Sequence, residues 1–309
     1  MAFVGDDAVS AKYLHRAVQG LGARLGRDVH EATLCAFAAA QPPFDESVIV
    51  RRDLAYGEHP RQRLTIFAHG VTGEASAPVL LFVHGGGFVQ GDTVIPGTCF
   101  FDNIGYFAAR MGMIGVNVAY RLAPEHCWPA AGEDLAAAIA WLHRELPSLG
   151  GEPARIVAMG SSAGAMAVMD VLDRPRQGRE YPIAAAILRS GVYDLAALPG
   201  GSLKAALLSY YGGNAREWPA RLDPAVLAHV PVPMLMTLAQ YDPPELHAQA
   251  LGGLRHFLKG HAMRRFELLE HHNHYSIDLA SGSAASEGDR AVVGFLRDLS
   301  ILPAGSRTL

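Results

Sequence analysis

Gly160-Ser161-Ser162-Ala163-Gly164 sets a serine between two glycines with the spacing G-x-S-x-G. An apolar, strand-forming run over 155–159 precedes it and a helical stretch over 163–172 follows. The serine therefore falls on a sharp strand-to-helix turn, where a strained backbone projects the hydroxyl and small flanking residues let neighbouring chain come close. That spacing makes Ser162, rather than Ser161, the candidate nucleophile. The N–H of Ala163, at the helix start, points to where a developing oxyanion would lie. A serine- and glycine-rich turn also arises by chance, so the flanking elements are what give the motif its meaning.

A second chemical signal is His84-Gly85-Gly86-Gly87-Phe88, directly after the apolar run 79–83. Consecutive glycines at a strand end present unobstructed N–H groups to a tetrahedral intermediate. Each such donor contributes about 3 kcal/mol to lowering a barrier. Gly85, Gly86, Gly87 and Ala163 are thus the candidate oxyanion hole; the bland alternative for the glycines is a flexible loop.

A serine hydroxyl needs a base, and the base needs an orienting acid. Behind an elbow serine the acid comes first in the chain and histidine last, each after a strand. The run 233–238 leads into Asp242, and 265–269 leads into His271, His272 and His274, three candidate bases. Asp194 and Asp223 are weaker acid candidates. The three histidines would also suit a metal, but no accompanying carboxylate or cysteine pattern supports one.

These groups need a scaffold that delivers strand ends to one place. Residues 9–40 read as helical, with Val9, Tyr13, Leu14, Val18, Leu21 and Leu25 on an apolar stripe. Residues 48–56 and 63–67 read as a hairpin. Short apolar runs at 79–83, 113–120, 155–159, 184–188, 233–238 and 265–269 then alternate with helical stretches at 100–111, 130–145, 163–172, 246–258 and 289–299. Strands buried on both faces read as continuous apolar runs, so the pattern predicts an α/β fold with a mostly parallel sheet and helices on both faces. Residues 195–230 interrupt the alternation; with residues 1–45 they are expected to cap the strand ends of a single domain covering 1–309.

The chain has 309 residues, of which 50% are hydrophobic and 18% charged, a balance expected of a soluble globular protein. A net charge of −4 supplies no basic patch for nucleic acid. Asp6, Asp7, Lys12, Arg16 and Arg24 interrupt any signal-peptide core, and no apolar stretch is long enough to span a membrane. The odd set Cys35, Cys99 and Cys127 predicts reduced, mostly buried thiols in a cytoplasmic protein.

Taken together, the motifs resemble the hormone-sensitive-lipase-like branch of the α/β-hydrolase esterases, close to its bacterial carboxylesterases. Tyr120-Arg121-Leu122-Ala123-Pro124-Glu125-His126, with Pro129, Ala130 and Asp134, is similar to a further signature of that branch. The resemblance covers roughly residues 45–300. It implies an eight-stranded sheet, a helical cap partly formed by the N-terminus, no metal and no organic cofactor. It also implies a Ser162, Asp242, His274 triad, His274 being preferred because Asn273-His274-Tyr275-Ser276 is similar to the family's catalytic histidine segment. The sequence departs from the family pattern at Ser161, Ala165, Cys127, Trp128 and Gln240, without losing a triad member.

The activity so implied is hydrolysis of short- to medium-chain or aryl carboxylic esters through an acyl-enzyme. An amidase or arylformamidase would use the same triad, and a non-catalytic small-molecule receptor would be expected to lack part of it. The partner expected is a small-molecule ester, with neither nucleic acid nor membrane, and a homo-oligomer stays open. Phe88, Trp128, Tyr210 and Tyr211 are the candidate pocket aromatics, with Trp218 in the same cap region.

Overall fold

A computed structural model describes residues 10–70, 76–173, 183–198 and 200–302. Val9, Asp6, Asp7 and the ends of the predicted 1–309 domain lie outside them. The long helical region is two helices, α1 (Ala11–Leu21) and α2 (Arg27–Ala38), because Gly22 turns the chain at φ 71°. Only Leu14 and Val18 of the predicted stripe are buried in α1, while Tyr13 is 60% exposed.

The predicted hairpin is β1 (Val48–Ala55) and β2 (Arg63–His69), paired antiparallel. The alternation then gives β3 (Ala77–Val83), α3 (Asp102–Arg110), β4 (Ile114–Val118), α4 (Ala130–Glu145), β5 (Gly151–Ser161), α5 (Ala163–Asp173) and β6 (Ala185–Arg189). Three helices occupy the interruption: α6 (Ser202–Tyr211), α7 (Trp218–Arg221) and α8 (Val226–His229). The chain continues through β7 (Met234–Tyr241), α9 (Pro244–Phe257), β8 (Arg264–Asn273), α10 (Ser276–Leu279) and α11 (Glu287–Asp298).

The eight strands form one sheet in the order β1-β2-β4-β3-β5-β6-β7-β8. It is parallel from β4 onward and antiparallel where β2 meets β1 and β4. Its central strands bury both faces. In β3, Val79, Leu81 and Val83 join the core under α4, α5 and α9, whereas Leu80 and Phe82 join the core under α3 and α11. Two-sided burial is why these strands read as unbroken apolar runs.

Register determines what the strand ends hold. Val83 pairs with Gly160, so the glycine loop and the serine turn leave neighbouring strands at the same level. Tyr241 pairs with Asn273, so Asp242 and His274, each the next residue, emerge side by side.

The three thiols are free, but the expected burial does not hold: Cys35 and Cys127 are exposed and Cys99 is half-buried. Helix α2 buries Val29, Thr33 and Phe37 at four-residue spacing, and Cys35 lies off that face. Among the described residues no helix is long and apolar enough to cross a membrane.

Candidate active site

Ser162 occupies the turn between β5 and α5 with φ at 53°, a left-handed conformation that is rare for a residue with a side chain. Close packing holds it there. Its N–H donates to the carbonyl of Arg189 at 2.8 Å. A Cβ on Gly164 would lie 2.1 Å from the Val83 carbonyl oxygen, so only glycine lets α5 approach the end of β3. Ala163 is the first residue of α5, and its N–H is among those a helix leaves without an internal partner.

The glycine loop lies against this turn: a Cβ on Gly85 would sit 3.2 Å from the Cβ of Ser162. Gly86 has φ 103° and Gly87 φ 64°. A Cβ on Gly87 would come within 2.9 Å of the Ala206 methyl, which brings helix α6 directly onto the loop. His84 anchors the loop from below. Its ring stacks on Tyr120 at 4.4 Å, its Nδ1 meets the Gly85 carbonyl at 2.7 Å, and the Tyr120 hydroxyl donates to the His84 carbonyl at 2.9 Å.

Burial pushes the His84 imidazole down to about 4, so it is neutral at physiological pH. The unfolded chain takes up that proton near pH 6.5 and the folded chain only near 4, so stability falls as pH drops through this window. Over the full window the loss is about 3 kcal/mol. A His84→Asn variant is expected to lose less stability between pH 6.5 and 4 than the wild type, as read by denaturant melts across that range.

His274 Nδ1 lies 2.7 Å from Asp242 Oδ1. Asp242 is fully buried, and its other oxygen accepts from the Ser190 hydroxyl at 2.5 Å and the Ala239 N–H at 3.0 Å. Both oxygens are thus committed, which fixes the carboxylate plane against the imidazole. The other two histidines diverge because β8 extends further than expected, through Asn273. The His271 ring stacks on His15 at 4.2 Å. His272 bonds Glu287 at 2.7 Å and Ser276 at 3.0 Å. Burial alone would raise the Glu287 carboxyl, but His272 holds it down to about 2. Among the described residues no group of three or more metal-ligating side chains converges. Asp194 and Asp223 accept N–H bonds from Ala196 and Ala225 in local turns, away from His274.

Ser162, His274 and Gly85–Gly87 face one cavity of about 880 Å³. Its apolar wall comes from Leu25, Val94, Ile95, Phe101, Leu203 and Leu279. The aromatic residues expected there are elsewhere. Phe88 stacks on Tyr210 at 3.9 Å, Tyr211 packs edge-on to both, and all three are buried in the core under α4 and α5. Trp128 packs at the margin of that core beneath Arg221. An aromatic residue satisfies a core as readily as a pocket, and these rings found one another first.

Sequence reasoning missed several groups at the site. Ser190 steadies Asp242, and Tyr275, beside His274, bonds both the N–H and the carbonyl of Gly26 at 3.1 and 3.3 Å. Asp278 lines the cavity on an ion pair with Arg189. Their only sequence signal was a polar residue beside a motif or strand end.

The sheet order, the strand-end loops and the serine turn define the α/β-hydrolase class of proteins. A family model described as the alpha/beta hydrolase fold matches residues 80–243, and the chain belongs to that family. Esterase LipI of Mycobacterium tuberculosis is 41% identical over 116 residues, 37% of this chain and 35% of that protein. Ethyl acetate hydrolase of Pseudomonas putida is 31% identical over 195 residues, 57% of this chain and 59% of its own. The chain thus spans about a third of the former relative and under two thirds of the latter. Among solved structures, a bacterial heroin esterase superimposes with a TM-score of 0.67 at 25% identity, over 90% of this chain and 91% of that one. An esterase of the bacterial hormone-sensitive lipase family shares the fold with a TM-score of 0.66 at 20% identity, over 96% and 98%.

Proposed function

We propose that this protein is a serine carboxylesterase in which Ser162 attacks the ester, His274 is the base and Asp242 orients it. The observation that carries the reading is the placement of Ser162, at φ 53°, on the same cavity wall as a histidine bonded to a buried carboxylate. His274 removes the Ser162 proton as Oγ attacks the carbonyl carbon. The N–H groups of Gly86, Gly87 and Ala163 hold the oxyanion, with Gly85 completing the loop. The alcohol leaves with the proton from His274, and water repeats the sequence on the acyl-enzyme.

Helices α2 and α6 act as the cap: Gly26 and His30 from one side and Leu203 and Ala206 from the other line the cavity that holds Ser162. Its volume of about 880 Å³ and its apolar wall suit short- to medium-chain or aryl esters. Esterase LipI and ethyl acetate hydrolase support ester chemistry by name.

The test is labelling by a fluorophosphonate probe together with hydrolysis of p-nitrophenyl esters from acetate to palmitate. Label on the peptide containing Ser162 is expected, with kcat/KM highest at or below about eight acyl carbons. A matched anilide should be cleaved far more slowly than its phenyl ester. Faster anilide cleavage would make the protein an amidase, and no labelling would exclude the serine mechanism.

A further inference from the structure

A buried charge network lies against the proposed site. Arg189, the last residue of β6, has no solvent exposure, and Asp278 and Asp289 are buried beside it. Arg189 Nη1 donates to the Ile277 carbonyl at 3.0 Å and to Asp278 Oδ1 at 3.2 Å. The Arg189 carbonyl accepts the Ser162 N–H at 2.8 Å. One residue therefore ties the backbone of the serine turn to α10, the turn that follows His274.

Asp278 faces the cavity from that turn. Burial pushes its carboxyl up, while the Arg189 guanidinium, the Ser161 side chain and the His274 imidazole favour its charged form. Asp278 follows His274 by four residues and lines the same cavity, so its carboxylate is available to a positive charge that forms there. Asp289 is spent on Ser281 Oγ at 2.7 Å and the Gly282 N–H at 2.6 Å, and of the two carboxylates Asp278 is the one that lines the cavity with His274.

We propose that Asp278 is a second carboxylate serving His274: a positioning residue that, braced by Arg189, holds the turn after the base and stabilises the imidazolium formed during attack. The proposal rests on the esterase reading with His274 as base. The groups around His274 are Asp242 across Nδ1, Tyr275 edge-on at 5.7 Å and, lining the same cavity, Asp278, Ser162, Arg27, His30, Glu31 and Asp92. Of the carboxylates among them, Asp242 and Asp278 are buried, whereas Glu31 and Asp92 are exposed.

The decisive variant is Asp278→Asn, which keeps shape and removes charge. The acidic limb of kcat/KM, which reports the free enzyme's base, is expected to move to lower pH by about half a unit. The plateau kcat should fall about five-fold, with KM within two-fold of wild type. An unpaired Arg189 threatens folding, so the double variant Arg189→Met, Asp278→Leu removes both charges together and is read in the same way. An unmoved limb in either folded variant, or a change confined to KM or melting temperature, overturns the proposal. Wild-type labelling at Ser162 separates the two readings: if the wild type is labelled and active while the limb stays put, only the role of Asp278 falls.

Discussion

Under the proposed mechanism, Ser162→Ala is expected to remove hydrolysis of p-nitrophenyl butyrate down to the background left by the oxyanion donors, a loss of about 10⁶-fold in kcat. The serine turn is held by the Arg189 carbonyl on the N–H of residue 162 and by the close approach of Gly164 to Val83, and neither contact involves the hydroxyl. The variant should therefore melt within a few degrees of wild type and retain its circular dichroism. Fluorophosphonate labelling disappears with activity. A folded variant that keeps more than about a hundredth of the wild-type rate would remove Ser162 from the mechanism.

Asp242→Asn is expected to give the second-largest loss, about 10⁴-fold in kcat, through a different route. The carboxylate receives the Ser190 hydroxyl and the Ala239 N–H on one oxygen and faces His274 Nδ1 with the other. Those two donors hold the amide oxygen of an asparagine on their side and turn its NH₂ toward the imidazole. Nδ1 must then accept, so the ring proton moves to Nε2 and the base has no lone pair for the serine. The residue is isosteric and the site fully enclosed, so the fold survives. Steady-state kinetics at saturating ester, with a melting curve as control, checks the expectation; a loss below ten-fold would separate Asp242 from the base.

The order of strands and helices was legible because the physics that writes it is local. Two-sided burial makes β3 to β7 continuous apolar runs, and a strand-to-helix turn with glycines on both sides locates Ser162 without reference to anything distant. What escaped the sequence is what depends on direction or on partners far along the chain. His271, His272 and His274 are near neighbours, and only the path of β8 sends one toward Asp242, one toward His15 and one toward Glu287. Arg189 and Asp278 are joined across 89 positions, and neither stands in a recognisable motif. Phe88, Tyr210 and Tyr211 carry no mark that distinguishes a core ring from a pocket ring. Cys35 is exposed through a helical phase that composition does not record.

The contact between Gly87 and Ala206 leaves no slack between the glycine loop and helix α6. Under the proposed mechanism the same helix that shapes the space around the ester also presses on a donor that steadies its transition state. Selection for a roomier cavity along α6 would therefore trade turnover for breadth, and a generalist descended from this protein would have to reset its loop before it could regain speed.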